Sequence, residues 1–196
     1  MQELQPDQAT ILVVDDTPAN LNVLSAILSQ QGYRVRPANG GEVALVVAQH
    51  AEPDLILLDI QMPKMNGFEV CRRLKGNDQT ADIPVIFISA LDEVLDKVEA
   101  FEAGGADYIT KPFQILEVMA RIKHQLNLRR QHQQLAAVNL LARQIQDPVR
   151  RLADYVRRGD HTQLAAPPAD MLQAVQPVEA ALAEIVRLSE PDLGRS

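Results

Sequence analysis

Strand-like and helix-like patterns of apolar residues alternate along the first 123 residues of this 196-residue chain. Short runs of mainly apolar residues, rich in β-branched side chains, are typical of strands that are covered on both faces. Four such runs lie at residues 10–14, 54–59, 83–89 and 107–110. Residues 33–37 alternate between polar and apolar side chains, which predicts a strand at the edge of a sheet.

Segments with helical periodicity separate these predicted strands, at residues 18–31, 42–50, 67–75, 92–103 and 113–125. The first begins with Pro18 and is followed by Gly32, which are typical start and stop residues of a helix. Five strands that alternate with five helices through short connections predict a parallel sheet with helices on both faces. We therefore expect a doubly wound α/β domain over residues 1–125.

The pattern changes after residue 125, where apolar residues recur at the heptad spacing of a coiled coil. Its nine seam positions are Leu128, Gln131, Leu135, Val138, Ala142, Ile145, Val149, Leu152 and Val156. A second apolar ladder follows an interruption at residues 159–169, at Met171, Val175, Val178, Leu182 and Ile185. We expect an all-α coiled-coil hairpin over residues 126–196 that forms a homodimer as a four-helix bundle. Pro148 and Pro177 should kink its helices, whereas residues 123–130 contain no helix breaker, so the fifth helix should continue into the heptads.

Composition and charge indicate an ordinary globular protein and argue against internal disulfides and nucleic-acid binding. Apolar residues make up 46% of the chain and charged residues 23%, which is ordinary for a globular protein. The single cysteine, Cys71, excludes an internal disulfide and fits a reducing cytoplasm. Residues 1–124 contain 18 acidic and 10 basic residues, a net charge of −8, and residues 125–196 contain 8 and 9. Because no part of the chain is strongly basic, we expect no nucleic-acid partner.

Membrane association is also not expected. The first ten residues are polar and acidic, and the apolar runs are far shorter than the roughly 20 residues that a membrane span requires. The sequence therefore predicts a cytoplasmic protein.

Polar side chains end four of the five predicted strands. Asp15 and Asp16 follow the first strand, Asp59 ends the third, Ser89 ends the fourth and Lys111 follows the fifth. The carboxyl ends of parallel strands meet at one edge of the sheet, which is where ligands bind in such folds. Two carboxylates about 4 Å apart repel by about 4 kcal/mol at an effective dielectric constant near 20. A cluster of three therefore requires protons or a cation, and its hard oxygen ligands favour Mg²⁺.

A lysine and a hydroxyl complete this predicted cluster. Lys111 would supply a positive charge and Ser89 a hydroxyl donor opposite the carboxylates. The arrangement suits a phosphoryl group held on Asp59 as a mixed anhydride, a form of covalent carboxylate catalysis.

Four segments resemble the receiver domain of two-component response regulators. They read ILVVDD at 11–16, LILLDIQMPKMNGFEV at 55–70, VIFISA at 85–90 and GADYITKPF at 105–113. The resemblance covers about residues 9–125 and implies a flavodoxin-like sheet with strand order 2-1-3-4-5.

The resemblance implies a role for each position that matches the family's motif. Asp59 corresponds to the phosphoacceptor, and Asp16 to a direct Mg²⁺ ligand. Asp15 would act mainly through a metal-bound water, and the backbone carbonyl of Gln61 would complete the metal shell. Lys111 would pair with the phosphoryl group.

The same resemblance implies a conformational switch. Ser89 would move toward a phosphoryl oxygen, and Tyr108 would then rotate inward to fill the vacated space. The peptide bond between Lys111 and Pro112 is expected to be cis.

A weaker resemblance concerns the C-terminal region. Residues 143–149, RQIQDPV, are similar to the phosphorylation box of histidine-kinase dimerisation domains. Arg143 stands at the position of the phosphorylated histidine and Gln144 at that of its acidic neighbour, so phosphotransfer by this segment is not expected. A degenerate kinase hairpin that only dimerises and an unrelated coiled coil both remain open.

Together these observations predict a response regulator without a separate catalytic domain. A sensor histidine kinase would donate a phosphoryl group to Asp59, and the C-terminal helices would carry the output by protein–protein contact. One alternative is a phosphorelay intermediate or phosphate sink with no output of its own. Another is a dimeric scaffold that does not depend on phosphorylation.

Overall fold

The computed structural model describes residues 9–90, 94–158, 180 and 183. The strands are β1 (Thr10–Val14), β2 (Arg34–Ala38), β3 (Leu55–Asp59), β4 (Val85–Ser89) and β5 (Asp107–Thr110). The helices are α1 (Pro18–Gln30), α2 (Gly41–Ala51), α3 (Gly67–Lys75), α4 (Val94–Glu102) and α5 (Ile115–Arg158).

The five strands form one parallel sheet in the order β2-β1-β3-β4-β5, which confirms the predicted fold and strand order. Every residue of β3 and β4 is buried, as continuous apolar runs predict for central strands. In β2, by contrast, only Ala38 is fully buried, which confirms its expected place at the sheet edge.

Apolar layers cover both faces of the sheet. On one face, strand side chains pack with α1 and α5 through Leu21, Leu24, Leu28, Val118, Met119, Ile122 and Leu126. On the other face, they pack with α2, α3, α4 and the residue after α4 through Ala44, Ala48, Phe68, Val70, Cys71, Leu74, Ala100 and Ala103. Successive residues of each strand point to opposite layers, so an uninterrupted apolar run supplies both.

The strand boundaries differ by one or two residues from the sequence prediction at the starts of β2, β3 and β4 and at the end of β2. β4 begins at Val85, two residues later than the apolar run indicates. The preceding Pro84 has no N–H to donate to a neighbouring strand, although its carbonyl accepts a hydrogen bond from Ile56 N at 3.0 Å. β2 begins at Arg34, one residue later than predicted.

Helix α5 is 44 residues long and passes without interruption through residue 125 and Pro148. It therefore continues directly into the heptad region, as the sequence of residues 123–130 predicted. Contacts within the chain divide it into two units, with the division between Arg129 and Arg130. Leu126 is 3% exposed in the core of the first unit, which explains why this unit extends beyond residue 125.

The predicted second helix of the C-terminal hairpin lies mostly outside the described residues. Within it only Ala180 and Ala183 are described, and both are helical. Its apolar ladder, Pro177 and the preceding loop belong to the part that is not described. None of the described helices has the length and apolar character needed to cross a membrane.

Candidate functional site at the carboxyl edge of the sheet

The ends of β1, β3 and β5 bring three charged side chains into contact. Asp15 directly follows β1, Asp59 is the last residue of β3 and Lys111 directly follows β5. The Lys111 Nζ atom lies 3.1 Å from Asp15 Oδ2 and 3.2 Å from Asp59 Oδ1. Residues that are 96 and 52 positions apart in sequence therefore form one ion-pair network.

Asp16 adds a third carboxylate to this network. One oxygen from each of Asp15, Asp16 and Asp59 lies within 4.8 Å of the other two. Asp15 and Asp59 are only 2% and 6% exposed, so protein rather than water surrounds most of this negative charge. Carboxylate oxygens at this spacing fit a small hard cation such as Mg²⁺, since one ion can contact several of them.

The pKa values of Asp59 and Lys111 reflect this crowding. Burial raises the pKa of Asp59, and the charge of Asp15 raises it further, so that the attraction of Lys111 only partly offsets them. Burial lowers the pKa of Lys111, but hydrogen bonds and charges from Asp15 and Asp59 outweigh burial and raise it overall. The charged form of Lys111 is therefore more favoured than in an ordinary lysine, whereas the ionised form of Asp59 is less favoured than in an ordinary aspartate.

Asp15 has further hydrogen-bond donors that the sequence did not reveal. The backbone N–H of Thr17 donates to Asp15 Oδ1 at 2.8 Å. The side-chain amide of Asn20 donates to Oδ1 at 3.1 Å and to Oδ2 at 2.9 Å. Asn20 is the third residue of α1, a position from which side chains reach back past the start of a helix. That position was the available clue to its role.

The loop after Asp59 depends on a glycine. Gly67 N donates to Ile60 O at 2.9 Å, which folds the loop back on the end of β3. A Cβ atom at Gly67 would overlap the backbone carbonyl of Asp59 and lie 2.8 Å from Ile60 Cα. Only glycine allows this approach. Gln61 lies on the same loop and is exposed, and its role as a carbonyl ligand stays a prediction.

Ser89 and Tyr108 are both buried near the site. Ser89 is 0% exposed at the end of β4, and its carbonyl accepts a hydrogen bond from Lys111 N at 2.7 Å. Tyr108 is 7% exposed and belongs to the apolar layer under α4, where Lys97 Nζ lies 5.9 Å from its ring centroid. The Lys111–Pro112 peptide bond is cis, as the resemblance implied. The switching roles of Ser89 and Tyr108 stay predictions.

The model of the response regulator receiver domain family matches residues 11–123 of this chain. The chain belongs to this family. The matched residues contain all seven predicted site residues, and the match ends before the C-terminal heptads.

Two curated relatives each match a little more than half of this chain. The DNA-binding dual master transcriptional regulator RpaA of Synechocystis sp. is 43% identical over 113 residues, which cover 58% of this chain and 47% of RpaA. Response regulator PleD of Caulobacter vibrioides is 45% identical over 115 residues, which cover 59% of this chain and 25% of PleD. The chain therefore spans between a quarter and about half of the length of these relatives.

Solved structures agree with the observed topology. A signal receiver domain of a histidine kinase from Syntrophus aciditrophicus is 35% identical, with a TM-score of 0.57, and the match covers 61% of this chain and 90% of that one. A CheY-like receiver domain from Methanospirillum hungatei is 27% identical, with a TM-score of 0.60, and the match covers 63% of this chain and 98% of that one. Both comparisons support the receiver fold of the first unit.

Proposed function

We propose that this chain is a two-component response regulator that accepts a phosphoryl group on Asp59 from a sensor histidine kinase. The observation that supports this most strongly is the contact of Lys111 Nζ with Asp59 Oδ1 at 3.2 Å beside the carboxylates of Asp15 and Asp16. A nucleophilic carboxylate, a fixed cation and a cluster of metal-binding oxygens are the groups that transfer to an aspartate requires.

The proposed reaction forms one bond and breaks another. A carboxylate oxygen of Asp59 attacks the phosphorus atom of the donor's phosphohistidine, and the phosphorus–nitrogen bond breaks. Its electron pair stays on the imidazole nitrogen, which is then protonated, and Asp59 becomes an acyl phosphate. Mg²⁺, when bound, supplies positive charge beside the phosphoryl oxygens. Lys111 would balance negative charge on the other side, and the Ser89 hydroxyl would donate a hydrogen bond to a phosphoryl oxygen.

The carboxylates have different proposed tasks. Asp16 and Asp59 would hold Mg²⁺ directly together with the backbone carbonyl of Gln61. Asp15 would act through a metal-bound water, because its oxygens already accept hydrogen bonds from Lys111 and other donors. The raised pKa of Asp59 supports this assignment, since a bound cation would favour its ionised, nucleophilic form.

The proposed output is a homodimer formed by residues 126–196. Leu135 and Val149 occupy seam positions of the heptad pattern and are 61% and 47% exposed in the single chain. Burial of such side chains against a second helix is favourable by about 25 cal/mol per Å². Phosphorylation would bias the dimer through Ser89, Tyr108 and α5. No separate catalytic activity is proposed, and the matched relatives include proteins named as transcriptional regulators.

Labelling with a small phosphodonor tests the first step. The full chain is incubated with acetyl phosphate and MgCl₂, and phosphorylation is followed by intact mass. We expect an increase of one phosphoryl group that is absent in Asp59→Asn and retained in Asp78→Asn, a matched change at an exposed aspartate. Equal labelling of Asp59→Asn would refute the assignment of the phosphoacceptor.

Sedimentation distinguishes the proposed switch from the two alternatives. The dimer dissociation constant is measured with and without beryllofluoride and Mg²⁺, an unreactive substitute for the phosphoryl group. A switch predicts tighter dimers with beryllofluoride in the wild type but not in Asp59→Asn. Labelling without any change in association would favour a phosphate sink or relay, and an unresponsive dimer that is not labelled would favour a scaffold.

A further inference from the structure

The first turn of α1 carries an amide that faces the acidic site. Asn20 is the third residue of the helix, and its backbone N–H already donates to Thr17 O at 3.0 Å. A side chain at this position can reach back beyond the start of the helix. The Nδ2 atom lies 3.1 Å from Asp15 Oδ1 and 2.9 Å from Asp15 Oδ2, so this one amide contacts both carboxylate oxygens.

Asp15 accepts two hydrogen bonds on each of its oxygens. Oδ1 accepts from Thr17 N at 2.8 Å and from Asn20. Oδ2 accepts from Lys111 Nζ at 3.1 Å and from Asn20. A carboxylate offers about four lone-pair positions. These four contacts come from three donor atoms, Thr17 N, Asn20 Nδ2 and Lys111 Nζ, and they engage both oxygens of Asp15, which is 2% exposed and has little access to water.

We propose that Asn20 is a positioning residue that keeps Asp15 out of direct contact with the metal ion. Asn20 Nδ2 lies within hydrogen-bond distance of both oxygens of Asp15, so direct coordination by Asp15 requires this amide to be displaced. Asp16 and Asp59 are left as the carboxylates with capacity for the ion. The inference rests on the proposed function, because it concerns how the same site holds Mg²⁺.

The direction of the change in Mg²⁺ affinity on removal of Asn20 distinguishes this role from that of a residue that merely supports a metal ligand. If Asn20 only supported a coordinating carboxylate, its removal would weaken metal binding, typically by about tenfold or more. If Asn20 restrains Asp15, its removal frees both oxygens of Asp15 from this amide and lets a third carboxylate join the ligands, so metal binding becomes tighter. Structural damage at the start of α1 is instead expected to weaken binding, because it disperses the ligands.

The test is a titration of the unphosphorylated full chain with MgCl₂, followed by amide chemical shifts in two-dimensional NMR spectra. We expect the dissociation constant of Asn20→Ala to be about three- to tenfold below that of the wild type, because ligand charge tunes affinity for hard cations. The matched control is Asn22→Ala, an exposed asparagine on the same helix, which should bind as the wild type does. Asn20→Ser keeps one donor, should fall between the two, and decides the question if Asn20→Ala does not fold.

A dissociation constant for Asn20→Ala within twofold of the wild type, or above it, would overturn the inference. Phosphorylation of the wild type by acetyl phosphate is measured in the same preparation. If the wild type is labelled but Asn20→Ala does not bind Mg²⁺ more tightly, only the role of Asn20 fails. If binding tightens as expected and no variant is labelled, the proposed phosphoryl transfer fails and the role of Asn20 stands.

Discussion

The substitution Asp59→Asn should stabilise the protein in the absence of metal. It removes one of three carboxylates whose oxygens lie within 4.8 Å of one another, while Lys111 keeps its partner Asp15 at 3.1 Å. At an effective dielectric constant of about 20, a carboxylate 4.8 Å away costs about 3.5 kcal/mol, and a lysine 3.2 Å away contributes about 5 kcal/mol of attraction. Two such repulsions outweigh the one attraction by about 2 kcal/mol.

Solvent reduces this difference, because Asp16 and Lys111 are not fully buried and their interactions are screened. The loss of a buried charge acts in the opposite direction, since an amide is easier to remove from water than a carboxylate. We therefore expect Asp59→Asn to increase the free energy of unfolding by about 1–2 kcal/mol at pH 7.

The pH dependence of this gain follows from the raised pKa of Asp59. Below the ordinary value of 3.8 the carboxyl is protonated in both the folded and the unfolded chain and causes no penalty. Between 3.8 and the raised value, the folded protein binds more protons than the unfolded chain, so stability falls as pH rises through this window. The advantage of Asp59→Asn should therefore be complete above the window and disappear below it.

Urea unfolding of both proteins, followed by circular dichroism, measures the effect. The runs are made in EDTA between pH 4 and pH 7, and unchanged slopes show that the unfolding transition itself is the same. The reasoning fails if the variant is the less stable protein at pH 7, or if its advantage does not shrink as the pH falls. Asp78→Asn, at an exposed position, controls for the loss of a surface charge.

Three further predictions concern the metal, the loop after Asp59 and the coiled coil. A tenfold excess of MgCl₂ over its dissociation constant should stabilise the wild type by about 1.4 kcal/mol. Asp59→Asn should gain much less, as measured by urea unfolding in a buffer without EDTA. Gly67→Ala should lower the free energy of unfolding by about 2 kcal/mol or more, because its Cβ would overlap the Asp59 backbone. Gly76→Ala, where the nearest atom to the added Cβ is 3.3 Å away, should lower it clearly less. Equal losses in the two variants would contradict the proposed close approach of Gly67 to Asp59. Leu135→Asp should raise the dimer dissociation constant, measured by sedimentation, by about tenfold or more. Leu140 is similarly exposed at 60% but lies outside the seam, so Leu140→Asp should leave the dissociation constant unchanged. Equal effects of the two substitutions would exclude a heptad interface.

Much of the receiver fold could be predicted because one physical feature recurs along the chain. A strand covered on both faces needs an uninterrupted apolar run, and the polar residue that ends the run marks the edge of the sheet. Asp59 and Ser89 were found in this way. The apolar run does not predict the start of β4 correctly, because it includes Pro84, which lacks the N–H that a strand residue donates.

The supporting contacts of the site could not be predicted from periodicity. The bonds from Asn20 to Asp15 depend on the direction of one side chain in the first turn of α1. The approach of Gly67 to Asp59 depends on how the intervening loop folds back. Neither contact changes the pattern of apolar and polar positions, so both become visible only once backbone and side-chain positions are known.

Helix α5 imposes a physical limit on how the two parts of the chain can be coupled. Ile122 and Leu126 are buried against the sheet, and Gln125 Nε2 donates to Ala106 O at 3.2 Å. Arg129 Nη1 donates to Pro53 O at 2.8 Å, just before the start of β3 and therefore at the opposite end of that strand from Asp59. Detaching α5 would expose these apolar side chains and leave polar groups without partners, at a cost of several kcal/mol. If phosphorylation of Asp59 rearranges α5 as proposed, we expect the change at the start of the helix, where Ile115 and Leu116 are 48% and 80% exposed, and we expect the helix to stay attached to the sheet at Arg129.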